Sequence, residues 1–270
     1  MSRLHFAQIS DTHIRKDYSS GLLHDMFDSL ISPDEKLIQT LQELKKEQLD
    51  FIVITGDLVH EGNEADYQHF QNILNSAELA VPVLLALGNH DRKRAFCQVF
   101  HKELKNGRYF YFHQIREWKI IVLDSAGEDY GLGEINTEQM EWLEHVCAKE
   151  DKILVFMHHP VWWEDSLLCL GENSERLRKF LSQQNIRGVF CGHVHRNSMK
   201  ENGAFSQFTA ESMACGFDYD ENGIKVRERS GYIKAFADEA GMRVDNCFWH
   251  AKEVYEIPGN TLRNILDKKE

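Results

Sequence analysis

Phe51-Ile52-Val53-Ile54-Thr55-Gly56-Asp57 runs five strand-forming residues straight into a glycine and a carboxylate. The run is apolar without alternation, as expected of a strand covered on both faces, so Asp57 falls just past the carboxyl end of a buried strand. Moving outward along the chain, the same arrangement recurs. The more alternating His5-Phe6-Ala7-Gln8-Ile9 leads to Asp11-Thr12-His13, and Val83-Leu84-Leu85-Ala86-Leu87 leads to Gly88-Asn89-His90-Asp91. Ile153-Leu154-Val155-Phe156-Met157 leads to His158-His159-Pro160, and Gly188-Val189-Phe190-Cys191 to Gly192-His193-Val194-His195. In open α/β sheets, ligands bind in the crevice beyond the carboxyl ends of the strands. Polar motifs repeated at that position predict one site assembled by the fold from residues 11 to 195.

Helical stretches separate the strands. Ser32-Pro33-Asp34-Glu35 reads as a capping box with proline at the first helical position. Leu37, Ile38, Leu41 and Leu44 form the apolar stripe that follows. Tyr67, Phe70 and Leu74 repeat the spacing after Asn63, Met140, Leu143 and Cys147 after Thr137, and Leu177, Phe180 and Leu181 after Asn173. Alternation of strand and helix to about residue 191 argues for a layered α/β core. Beyond it, Phe205 to Thr209, Tyr232 to Ala237 and Met242 to Trp249 read as strands. The expectation is a single domain over 1–270, with 1–195 carrying every motif and 196–270 completing a second sheet before a short C-terminal helix.

The motifs offer two carboxylates, one amide and four or five imidazoles. Oxygen and nitrogen donors in this mix suit two adjacent ions of Mn, Fe, Zn or Co rather than a structural thiolate site. The chemistry expected is that of a dinuclear metallohydrolase.

With 270 residues, four prolines, 42% hydrophobic residues and no linker or repeat, the chain can bury one substantial core. The N-terminus enters a strand at once, no run approaches transmembrane length, and a cytoplasmic location is expected. Six widely spaced cysteines with no C-x-x-C pair read as reduced, partly buried residues. A formal charge of −12 counts against a nucleic-acid groove, and Asp11 and Asp57 would be neutralised by bound cations. An acidic shell around a positive metal centre favours small, accessible phosphate esters over long polyanions; no membrane partner is expected, and the chain could form a homodimer or higher homo-oligomer.

The set D-x-H, GD, GNHD, HHP and GHxH, in this order, resembles the calcineurin-like metallophosphoesterase superfamily. It looks closest to the bacterial cyclic-nucleotide (cyclic-AMP) phosphodiesterases and their glycerophosphodiesterase relatives. Gly56-Asp57-Leu58 with Tyr67 and Phe70, and Leu123-Asp124-Ser125 with Gly133, Gln139 and Trp142-Leu143-Glu144, support the likeness. The protein Ser/Thr phosphatase branch typically has GD-x-V-D-R-G and GNHE, whereas Gly56 to Gly62 here reads GDLVHEG and the later block ends in Asp91.

The resemblance implies a four-layer αββα sandwich of two mixed β-sheets flanked by helices. It implies that Asp11, His13 and His195 hold a first metal, that Asp57 bridges to a second, and that Asn89, His158 and His193 complete the second. His90 would not ligate but would touch the phosphate or help the leaving oxygen depart, with Asp91 orienting its ring. Two cations roughly 3.5–4 Å apart generate a bridging hydroxide that attacks a small diester in line. A 3′,5′-cyclic nucleotide such as cAMP leads; a phosphomonoester, a glycerophosphodiester or a nucleic acid at the same site are alternatives, and a non-catalytic scaffold is a distant one.

Two stretches depart from that pattern, Val161-Trp162-Trp163-Glu164-Asp165 and Leu167 to Asn173, both in loops expected to border the substrate. Trp162 and Trp163 could stack a base or pack under a loop. Arg92, with Lys93 and Arg94, could steer an anionic substrate or simply open a helix. His159 reads as a packing neighbour of the site and His60 as a solvated loop residue.

Overall fold

Along β1 (Leu4–Ile9) the side chains divide between two cores. Leu4 and Phe6 join a cluster with Trp118, Ile120, Phe156 and Phe190, while Ala7 and Ile9 join another with Leu37, Leu41, Tyr67 and Phe70. β2 (Phe51–Thr55) does the same, Phe51 and Val53 facing one way and Ile52 and Ile54 the other. Alternate residues of a strand face opposite sides of the sheet, so a strand apolar throughout is one packed on both faces. The computed structural model describes residues 3–19, 30–127, 133–171, 174–201, 203–220 and 223–249.

The first sheet has the order β13-β12-β1-β2-β3, with β3 (Val83–Ala86) parallel to β2, and β12 (Gly231–Ala237) and β13 (Met242–Phe248) antiparallel at the other edge. The second has the order β4-β5-β6-β7-β9-β8. There β5 (Trp118–Val122), β6 (Lys152–Phe156), β7 (Ile186–Cys191) and β9 (Ser206–Thr209) are parallel, and β4 (Tyr111–Ile115) and β8 (Ser198–Glu201) close the edges antiparallel. Between the sheets Phe6 stacks on Phe51 at 4.9 Å and meets Phe156 and Phe190 edge-on at 5.5 and 5.1 Å. Helices α1 (Pro33–Leu44), α2 (Glu64–Ser76) and α3 (Lys93–Phe100) cover the first sheet, and α4 (Thr137–Val146) and α5 (Glu175–Gln183) cover the second. The four layers are those expected. No helix among the described residues is long and apolar enough to cross a membrane.

Several sequence expectations are corrected. Residues 196–270 do not simply complete the second sheet: β8 and β9 join it, but β12 and β13 extend the first. Lys234 and Ala235 in β12 pair with Ala7 and Phe6, so the C-terminal strand shares the two-sided burial of β1. The alternation of strand and helix breaks at the β4–β5 hairpin, whose Arg116 turns in the left-handed region at φ 54°. Between β9 and β12 lies a further two-stranded ribbon of β10 (Gly216–Asp220) and β11 (Gly223–Arg227) that the apolar pattern does not announce. Ser32 caps α1 by accepting from Asp34 N, with Pro33 at the first turn. The reciprocal box belongs to α2 instead, where Asn63 accepts from Ala65 N and Asp66 accepts from Asn63 N. Asn173 and the expected C-terminal helix lie outside the described residues.

Candidate metal centre

Each motif begins within two residues of a strand's end, at the same rim of the two facing sheets. The chain must turn sharply there while keeping polar side chains inward. Asp11, His13, Asp57, His193 and His195 all take left-handed backbone conformations, with φ from 46° to 71°. Such conformations cost about 1–3 kcal/mol each for residues with a side chain and persist only where surrounding structure enforces them. The enforcement is visible. Asp11 N donates to Gly56 O, His13 N to Asp57 O, and Met213 N and Ala214 N to Ser10 O and Asp11 O. Ser212 Oγ also donates to Asp11 O at 2.9 Å.

Two groups result, Asp11 with His13 and His195, and Asp57 with His158 and His193, the ligand atoms of each lying within 4.8 Å of one another. In the first, His195 Nε2 is 3.3 Å from Asp11 Oδ1 and 3.2 Å from His13 Nε2. In the second, His158 Nε2 is 3.3 Å from Asp57 Oδ2, 3.2 Å from His193 Nδ1 and 3.0 Å from Asn89 Oδ1. Asp57 Oδ2 also lies 3.7 Å from His13 Nε2, so one oxygen faces both groups. Distal nitrogens fix the rings: His195 Nδ1 meets Cys215 O at 2.8 Å and His158 Nδ1 meets Thr55 O at 2.9 Å. A carbonyl only accepts, so both Nδ1 atoms carry a proton and both Nε2 atoms point inward.

The backbone approaches this centre closely. A Cβ on Gly192 would sit 1.8 Å from Ser10 Oγ and 2.6 Å from Asp11 Oδ2, and one on Gly88 would sit 2.2 Å from Asp57 Oδ1. With this cradle and its all-oxygen and nitrogen donors, the centre fits two borderline metal ions.

Burial opposes ionisation of Asp11, but His195 and His158 overcome it and hold the carboxyl at about 2. Asp57 is likewise held well below the usual carboxylate range, burial being outweighed by His158 and His13. Conversely, burial disfavours the charged form of His158, yet Asp57 and Asp11 lift it to about 9. His195 is raised by Asp11 in the same way. Burial, reinforced by neighbouring imidazoles, lowers His193 to about 3 and drives His13 well down.

The remaining candidates are placed differently. His90 lies outside both groups, its ring 5.3 Å from that of His13. Asp91 does not orient it, contrary to expectation. The Asp91 carboxylate turns inward and accepts from Leu58 N, Val59 N, Gly88 N and Tyr67 Oη, which saturates both oxygens and braces the Asp57 and Asn89 loops together. Burial and the nearby Asp57 raise its pKa to about 7. The carboxylate beside His90 is Glu61, at 3.5 Å from Nδ1. Nor is His60 solvated: it is half-buried against His13 and His90. His60, Glu61 and His90 form a third group of potential ligands, less buried than the other two, with the rings of His60 and His90 stacked at 4.4 Å and 27°.

A cavity of about 690 Å³ opens onto Asn89, His90 and the exposed Arg92. Lys93 there is committed to Asp124 and Ala126 O. Trp162 does not line this cavity. It stacks on Phe205 at 4.9 Å, with its backbone held by Gln207, and Trp163 sits half-buried in the same loop. His159 bonds Ser125 and packs beside His193. A larger cavity of about 800 Å³, between Leu74, Val81, Phe100 and Tyr111, touches none of the motifs.

Sequence reasoning missed the carbonyls of Thr55 and Cys215, the Ser212 brace and the His60–Glu61 pair. Backbone acceptors have no residue signature; the one available signal was a histidine and a glutamate three and four positions after Asp57.

Comparison with known proteins accords with this geometry. The family model described as calcineurin-like phosphoesterase matches residues 4–197. An Escherichia coli K12 protein named 3′,5′-cyclic adenosine monophosphate phosphodiesterase CpdA is 28% identical over 207 residues, covering 72% of this chain and 70% of that protein. A protein of Enterobacter lignolyticus named glycerophosphodiester phosphodiesterase GpdQ is 29% identical over 212 residues, covering 72% of each. A dimetal phosphatase from Danio rerio shares the fold, with a TM-score of 0.66 at 14% identity over 91% of this chain and 99% of that one. Because the family model spans all five strand-end motifs, the chain belongs to the calcineurin-like phosphoesterase family and is a metal-dependent phosphoester hydrolase.

Proposed function

We propose that the chain hydrolyses a small phosphodiester at a two-cation centre, and that its substrate is a 3′,5′-cyclic nucleotide such as cAMP. The observation that carries the two-cation reading is the position of Asp57, whose Oδ2 faces His158 Nε2 at 3.3 Å and His13 Nε2 at 3.7 Å. Asp11, His13 and His195 would hold one ion, and Asn89, His158 and His193 the other, with Asp57 shared. Manganese, iron and zinc all suit these donors. When bound, such ions neutralise phosphate oxygens and lower the pKa of water to near neutrality.

The protein's own groups supply orientation and a proton. Thr55 O and Cys215 O keep His158 and His195 in the tautomer that can ligate. His90, on the wall of the cavity, is the group that protonates the leaving oxygen. Asp91 stabilises the loop carrying Asn89 and His90 rather than taking part in the chemistry. Arg92, exposed at the cavity, attracts the anionic substrate. The assignment of a cyclic nucleotide is supported by the name of the E. coli relative. The equally similar E. lignolyticus relative supports a glycerophosphodiester as the second reading. The same reading puts the chain in the cytoplasm, acting on a small molecule and not along a nucleic-acid groove.

Initial rates with Mn²⁺ on 3′,5′-cAMP, 2′,3′-cAMP, glycerophosphocholine, bis(p-nitrophenyl) phosphate and p-nitrophenyl phosphate test it. The expected result is turnover of both the synthetic diester and 3′,5′-cAMP. Turnover of the glycerophosphodiester without any cyclic nucleotide selects the second reading, and the monoester alone overturns both.

A further inference from the structure

Of the four imidazoles in the two groups, His13, His158 and His195 turn Nε2 toward the carboxylates of Asp11 and Asp57, but only two of these three rings are fixed by backbone. His158 and His195 each give Nδ1 to a carbonyl, at 2.9 and 2.8 Å. His13 presents Nε2 inward as well, 3.2 Å from His195 Nε2 and 3.7 Å from Asp57 Oδ2. Its Nδ1 meets the Nδ1 of another imidazole, His60, at 3.1 Å. For His13 to ligate through Nε2, its proton must be on Nδ1, and His60 Nδ1 must then be the acceptor. That in turn places the His60 proton on Nε2.

His60 is held for this task. Its backbone N reaches Ile14 O, and the neighbouring Val59 bridges Ile14, which ties the turn after β2 to the turn after β1. Its ring stacks on His90 at 4.4 Å, and Glu61 N donates to His90 O at 2.9 Å. Metal-binding histidines ordinarily give the second nitrogen to a carboxylate, a carbonyl or water, and losing that partner typically costs 10–100-fold in metal affinity or activity. An imidazole in that role is unlike a carbonyl, because it accepts only in one of its two neutral tautomers.

Resting on the two-cation reading above, we infer that His60 is the positioning residue of the first ion site, accepting the Nδ1–H of His13 and so committing His13 Nε2 to the ion. It touches neither ion nor substrate. One site is thereby made dependent on a replaceable side chain, and the same ring carries His90 on its face.

The test is a titration of the full chain, freed of metal by chelator, with Mn²⁺ and separately Zn²⁺, followed by calorimetry. Asn places Oδ1 where His places Nδ1, so His60→Asn retains an acceptor and His60→Leu removes it. Wild type is expected to bind two ions. His60→Leu should weaken one binding phase by about 10–100-fold and leave the other in place, while His60→Asn should recover most of the loss. Turnover of bis(p-nitrophenyl) phosphate by His60→Leu should rise towards wild type as Mn²⁺ is raised, which a general structural defect would not show. Melting in chelator monitors folding, and if His60→Leu does not fold, His60→Ala replaces it against the Asn variant. Two unchanged phases in the Leu or Ala variant overturn the inference, as do equal losses in the Asn and Leu variants or a wild type that binds neither metal. A wild type that binds two ions but cleaves no phosphoester instead sinks the proposed function, and the titration still decides the role of His60.

Discussion

Asp57 has one oxygen facing an imidazole of each group and the other accepting from His90 N at 2.9 Å, so its two oxygens join the two groups to the loop that carries His90. Asp57→Asn keeps the shape but halves the charge available to the cations. It should lose at least one equivalent of metal by elemental analysis together with nearly all diester hydrolysis; full occupancy with near-normal turnover would remove Asp57 from the bridging role. His90 is the complementary case, adjacent to the ligands but absent from both groups. His90→Ala should retain both metals while turnover falls by roughly 10²–10⁴, the range for a lost general acid or electrostatic donor. Metal lost in parallel with activity would make it a ligand. At this scale the sequence was legible wherever a strand ended in a side chain able to hold an ion. It misled at Asp91, because adjacency to His90 suggested contact. The carboxylate instead answers buried N–H groups at Leu58, Val59 and Gly88, which would otherwise stay unpaired.

Among the elements, the parallel strands were readable because burial on both faces makes them continuously apolar. The β4 strand, Tyr-Phe-His-Gln-Ile, is an edge strand with alternate residues exposed, and β11 is exposed throughout, so neither carries that signature. The division of the C-terminal strands between the sheets was likewise unreadable. Both cores accept apolar residues, and only the pairing of β12 with β1 decides which one Ile233 and Ala235 enter. The rim, by contrast, is constrained at single atoms. The turn after β7 passes Gly192 so close to the β1 turn that an added Cβ would overlap Ser10 Oγ at 1.8 Å. Gly192→Ala must therefore push the β7 and β1 turns apart, with a cost on the order of 1–3 kcal/mol or more for overpacking. Its melting temperature should drop and its metal affinity should fall with it, as Asp11 Oδ2 is also within 2.6 Å of the new atom. An unchanged melting temperature and metal affinity would show that the two turns are not packed as described.

For the whole molecule, charge at the centre has to be reconciled with a formal net charge of −12. Without metal, the ionised Asp11 and Asp57 are balanced by two protonated imidazoles, His158 and His195, whose pKa values those carboxylates raise. Two divalent cations in place of two protons would take the centre from neutral to positive, able to hold a phosphate on an otherwise acidic protein. The exchange makes capture of metal pH-dependent, because the ring protons must leave first. It also fixes how stability depends on pH. Asp11 sits at about 2, below its ordinary 3.8, so its contribution is present above pH ~4 and is lost as pH falls through about 2. His158 sits at about 9, above its ordinary 6.5, so its contribution is complete below pH ~6.5 and is lost as pH rises through about 9. Chelator-treated protein should therefore lose melting temperature between pH 6.5 and 9, whereas protein saturated with Mn²⁺ should not, since its ions occupy the place of the protons. Over the same interval the apparent Mn²⁺ affinity should rise with pH, and calorimetry in buffers of different ionisation enthalpy should report protons released on binding. Thermal melts of the two forms at half-unit steps decide the matter. Parallel curves across that interval would mean that His158 does not exchange a proton for an ion, and the second group would lose its claim to a metal.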